Sequence, residues 1–231
     1  LGQAARYETF LQIILDRHQA LCVEFRENQT IQRVLNEAAK NERPEGGSIT
    51  MTPERVASMK RFMEMSPLLQ FESEAFYLFA KIFLDKLSQF LEHYFRPLTP
   101  EGRNGIRGLS LASHDGLTKR FGNYASALEL DCPSKFHDML TDLKARISDV
   151  RDYEIAHETN PRLGHATSWA GTTEPRIHKM AMFQRDITPG RTPAESETPT
   201  ELMEVLRTYM DAIIQIIESN RSKSSFNRDP A

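Results

Sequence analysis

The run Arg151-Asp152-Tyr153-Glu154-Ile155-Ala156-His157 carries the residue types best suited to chemistry in this chain. A guanidinium presents a fork of donors that holds phosphate oxygens and stabilises charge developing on them, which is the role open to Arg151. An imidazole titrates near neutrality, so His157 would take or deliver a proton. Asp152 would orient either side chain through a hydrogen bond. In an unbroken helix six residues turn about 600°, which leaves Arg151 and His157 about 120° apart. The two converge if the helix unwinds before His157, which the nearby Pro161 favours, or if the long arginine reaches round. A plainer reading stands beside this one. His157 lies seven residues after Val150 and continues an apolar stripe, so it also fits a half-buried core position. Arg151 also fits an i,i+3 surface pair with Glu154.

A second candidate is Gly102-Arg103-Asn104-Gly105-Ile106-Arg107-Gly108. Backbone N–H groups freed by glycine can cradle an anion, and Arg103 and Arg107 add charge. The P-loop lysine and serine are missing, so a flexible connector is the alternative. If RNA is bound, Arg103 and Arg107 are where its backbone would be held. No metal site is expected. His114-Asp115 and His137-Asp138 are adjacent pairs, and neighbours on a helix do not share a face. No His-x3-His or His-Glu-x2-His spacing occurs. His18 falls on an apolar stripe and reads as a core residue. The methionines read as gap fillers in a helical core.

The elements that would position these residues are helical. The chain has 231 residues and a formal net charge of −3, which suits one large domain and demands no nucleic acid or acidic membrane. No apolar run approaches a membrane span, and no basic-then-apolar signal pattern opens the chain, which begins at Leu1. Cys22 and Cys132 form no metal or redox pair, so a cytoplasmic compartment is the expectation. The spacing predicts helix over about 4–40, as one helix or as two joined near 28–30. Thr52-Pro53 reads as an N-cap followed by proline at the first helical position, opening a short helix that ends before Pro67. A helix over about 72–95 holds many of the aromatics and is expected to be central. Further helices are expected over about 115–128, from Pro133-Ser134 through the stripe Phe136, Leu140, Leu143, Ile147, Val150, Tyr153 and His157, and over about 200–219. Residues 158–199 read as a long irregular insertion. The tail from Asn220 reads as polar and frayed. No alternation is long enough to predict a strand. The expected fold is an all-α, single-domain bundle of five to seven helices.

In that setting, Arg151-Asp152 followed by His157 resembles the signature of the HEPN superfamily of all-helical domains: Arg, a polar residue, a few mostly apolar residues, then His. The resemblance is sharp over about seven residues and extends loosely to about 71–219 through the helical context. Many HEPN domains are ribonucleases of toxin–antitoxin and phage-defence systems. The resemblance implies a metal-independent endoribonuclease that cuts RNA by attack of the 2′-hydroxyl on the neighbouring phosphate. It implies no cofactor, a homodimer in which two motifs form a composite site, and an antitoxin-type protein as a further partner. One family variant carries a tyrosine two residues after the histidine, the target of nucleotide transfer. Thr159 stands there in this chain, which argues against that scheme.

Two other readings remain. One is a non-catalytic helical module that binds a ligand or a protein. The other is a helical haem dioxygenase-like enzyme acting on an indole. In that case Gly171, Thr172 and Thr173 would match a mobile Gly-Thr loop, with His157 a candidate axial ligand.

Overall fold

The computed structural model describes residues 2–42, 51–95, 111–151, 163–168, 176–181 and 198–226. The fold is all-α in class. Among the described residues there are five α-helices: α1 (Gly2–Glu42), α2 (Pro53–Phe95), α3 (His114–Ala127), α4 (Phe136–Leu143) and α5 (Pro199–Ser219). A π-helical turn, Lys144–Ser148, continues α4, and a 3-10 turn, Arg221–Lys223, follows α5.

α1 is a single helix with no joint near Asn28. α2 starts where the cap predicts, with the Arg55 backbone N–H donating to Thr52 Oγ1 at 3.3 Å. The sequence reading that ends this helix before Pro67 is corrected, because α2 runs on to Phe95. Proline removes one intrahelical donor and frees the carbonyl four residues earlier, here that of Met63. Pro67 and Met63 both face solvent, so water can satisfy that carbonyl. α5 opens with a reciprocal cap. The Glu201 N–H donates to Thr198 Oγ1 at 3.1 Å, and the Thr198 N–H donates to Glu201 Oε2 at 2.8 Å.

One large core is built from all five helices. It includes Leu11, Leu15, Phe76, Leu84 and Leu91 with Phe121, Phe136, Ile147, Leu206 and Ile213. Phe136, Leu140, Leu143, Ile147 and Val150 of the expected stripe are buried, while Tyr153 and His157 lie outside the described residues; on α5, Leu202, Leu206, Tyr209, Ile213 and Ile216 are buried. A second, smaller cluster joins only α1 and α2: Cys22, Phe25, Met65 and Leu69, with Leu21 and Phe62 against it. His18 is buried on α1, as its stripe predicts.

Two further findings differ from expectation. Within the stretch read as irregular, Leu163–Ser168 pairs antiparallel with Arg176–Ala181, in a register that sets His165 opposite Lys179. The pairing rests on backbone hydrogen bonds, and neither segment shows the alternation that marks a half-buried strand. The tail is not frayed over 220–226. Asn220 is 1% exposed. Its Nδ2 donates to the Asp131 and Ile216 carbonyls at 2.8 Å, and its Oδ1 accepts from the Asp131 N–H at 2.8 Å. Beyond it the Ser225 N–H donates to the Tyr94 carbonyl at 2.9 Å, and Phe226 packs on His93 and Tyr94.

Candidate functional site

The helical run from Phe136 to Arg151 carries the first residue of the candidate motif. Its buried stripe fixes the axial rotation of the run, and the π turn adds one residue to a turn without breaking it. π turns of this kind are frequent at functional sites. Ile147 and Ser148, inside the turn, are fully buried, and Val150 is buried one step before Arg151. Arg151 is therefore held at the edge of the core, half-buried. Charges on the same run are engaged locally: Lys144 pairs with Asp149, and Arg146 Nη1 donates to Asp142 Oδ2 at 2.8 Å. Asp152 and His157 lie outside the described residues. So do Arg103, Arg107, Gly171, Thr172 and Thr173.

Beside this run the fold assembles a polar group that sequence reasoning passed over. Lys81 is buried in α2. Its Nζ donates to Asp85 Oδ1 at 3.0 Å and to Asp115 Oδ2 at 3.2 Å. Asp85 Oδ1 also accepts the backbone N–H of His114 at 2.7 Å, so a carboxylate from α2 caps the first turn of α3 from outside. Ser113 completes the cap, its Oγ accepting from the Gly116 N–H at 3.1 Å. The Lys81–Asp85 spacing of four in a helix was the available signal. The partner from α3 was not visible, because it is 34 residues away.

His114 is wholly buried, its ring edge-on to Tyr209 at 5.6 Å. Tyr209 in turn stacks on Phe136, with centroids 5.6 Å apart and planes 11° apart. Among the described residues neither ring nitrogen of His114 has a hydrogen-bond partner. Burial, reinforced by the Lys81 ammonium, pulls the His114 pKa down to about 4, with Asp115 opposing and Lys144 adding to the shift. Burial pushes the Tyr209 phenol upward, partly offset by Ser88. At neutral pH this group therefore holds an uncharged imidazole and an uncharged phenol beside the Lys81 pairs with Asp85 and Asp115. It has no exposed nucleophile and touches no solvent through His114, which makes it a support for the helices rather than a reaction centre.

Other candidates are closed off by their environment. Burial raises the Cys132 thiol to about 11, with Asp131 adding to the shift, so it carries little thiolate near neutrality. Cys22 and His18 are one turn apart in the smaller cluster, with Sγ 3.6 Å from Nδ1, and both are buried. Among the described residues no group of three or more His, Cys, Asp or Glu side chains is placed to hold a metal ion. No described helix is long and apolar enough to cross a membrane.

Compared with known proteins, the chain matches no family model, no curated protein and no solved structure.

Proposed function

We propose that the chain is a HEPN-like, metal-independent endoribonuclease, a toxin or phage-defence effector working as a homodimer and controlled by an antitoxin-type protein. One observation carries this reading. The Arg151-Asp152…His157 run begins on a core-anchored helical segment in an all-α fold, and α5 follows it in the chain. In the proposed reaction the ribose 2′-hydroxyl loses its proton to a histidine and attacks phosphorus. The bond to the 5′-oxygen breaks, that oxygen takes up a proton, and a cyclic phosphate is left behind. Arg151 holds the non-bridging oxygens as charge builds on them. His157 moves the proton, and Asp152 orients the pair. No metal or cofactor takes part.

The test is RNA cleavage by the purified protein in excess EDTA. The parent is expected to cut, and His157→Ala to lose roughly 100-fold or more of that rate. Cleavage that survives His157→Ala, or a folded dimer that leaves every RNA intact, would overturn the proposal. A visible absorption band in the same sample would instead support the haem reading.

A second reading, a protein-binding helical module, is favoured by the outer face of α2. There Val56, Met59 and Met63, at helical spacing, are 50%, 53% and 66% exposed.

A further inference from the structure

α2 carries a second stripe on the side turned away from its buried residues. Val56, Lys60, Met63, Pro67, Phe71, Glu74 and Leu78 recur at intervals of three or four. At about 100° per residue they fall within about 80° of one helix face. Ser58, Met65, Leu69 and Phe76, all buried, lie on the opposite side. The stripe is about 33 Å long. Val56, Met63, Phe71 and Leu78 on it are all exposed, Phe71 by 60%. Four large apolar side chains in one line mark a contact surface rather than scattered surface residues.

The stripe is complementary to itself. When it is laid antiparallel on its own image about an axis at Pro67, positions equally far from Pro67 meet. Four residues out, Met63 meets Phe71. Seven out, Lys60 meets Glu74. Eleven out, Val56 meets Leu78. Each apolar side chain thus faces another, and the two charges face each other with opposite sign, twice for each pair of copies. A two-fold interface presents the same patch from both subunits, so a pattern that mirrors itself within one helix fits a second copy of the chain. Within α2 the same charges have only local contacts to show. Lys60 Nζ lies 4.0 Å from Glu64 Oε1, and Glu74 Oε1 accepts from Gln70 Nε2 at 2.8 Å.

The outer stripe of α1, with Val23, Ile31 and Val34 exposed, fails the same construction. Exposed Glu27 stands midway between Val23 and Ile31, so a two-fold axis there would set two carboxylates together.

We propose that a second copy of this chain packs antiparallel on the outer face of α2, about a two-fold axis at Pro67, with Lys60 of each copy paired to Glu74 of the other. The pairing rests on the protein-binding reading of that face and names its partner. It makes no use of the Arg151 motif, so self-association and RNA cleavage in EDTA can fail separately.

Sedimentation equilibrium of the full chain tests this. The parent is expected to dimerise below about 100 μM. Lys60→Glu and Glu74→Lys each set two like-charged pairs across the axis, and each should weaken the dimer roughly tenfold or more. Combining the two restores both pairs with reversed sign and should bring the dissociation constant back to within about threefold of the parent. Circular dichroism checks that each variant keeps its helices. If a reversal loses them, Met63→Asp, which sets a carboxylate against Phe71, should abolish the dimer instead. A parent that stays monomeric at about 100 μM overturns the pairing and leaves the face to a different protein. A dimer indifferent to the single reversals and to Met63→Asp, or one that the combined exchange does not rescue, overturns it as well.

Discussion

The two ends of the α1–α2 pair are built from the same two helices but held by different means. Near residues 4–18 and 72–95 the pair supplies two helices of a five-helix bundle, and the core residues there are aromatic and aliphatic. Over 20–42 and 53–71 the buried apolar cluster draws on these two helices alone. There the contacts are largely polar. Asn28 Nδ2 donates to the Ser58 carbonyl at 3.0 Å, and Ser58 Oγ returns a bond to Asn28 Oδ1 at 2.8 Å. Arg55 Nη2 donates to Asn36 Oδ1 at 2.9 Å, and Arg61 Nε donates to Glu24 Oε1 at 2.8 Å. The same end exposes Val23, Ile31, Val34, Val56, Met59 and Met63. The difference shows that helix length does not measure stability. Two helices alone cover one face of each other, and a third layer is what removes the remaining apolar surface from water.

Mutations can sharpen this contrast. The largest effect is expected from Phe136→Ala, which removes a fully buried ring lying between Phe121 and Tyr209. It should cost about 3–5 kcal/mol and shift the denaturant midpoint of the whole bundle. A loss under about 1 kcal/mol would mean that the bundle core repacks freely. Met65→Ala should remove about 2–5 kcal/mol locally. Its signature is loss of amide protection over 20–42 and 53–71 with α5 unchanged, and uniform loss across both ends would show that they unfold as one unit. Asn28→Ala strips two partners from Ser58 in a buried position and should cost about 1–3 kcal/mol, again confined to the two-helix end. An unchanged exchange pattern there would assign its stability to the apolar cluster alone.

Much of the fold was legible because helical periodicity is a local property. The stripe from Phe136 to Val150 and that of α5 could be read residue by residue, and both are buried where the spacing puts them. Thr52-Pro53 marked the start of α2 for the same reason. Pro67 misled because a proline reports only the loss of a donor. Whether that loss ends a helix depends on whether water reaches the freed carbonyl. At the candidate site, Arg151 was legible by type, and the burial of Val150 beside it followed from the stripe. The polar group around His114 was not. His114-Asp115 looked unpromising because adjacent residues point apart, yet the tertiary fold uses them separately, the ring against Tyr209 and the carboxylate against Lys81.

The sequence by itself determined the all-α class and the faces that turn inward, since each depends on residue types at short spacing. Tertiary structure decided that α2 is continuous, that a π turn precedes Arg151, that Asn220 is a buried anchor and that the His114 ring is buried against Tyr209. Each of these is set by solvent access or by a partner from a distant segment, and packing alone supplies both.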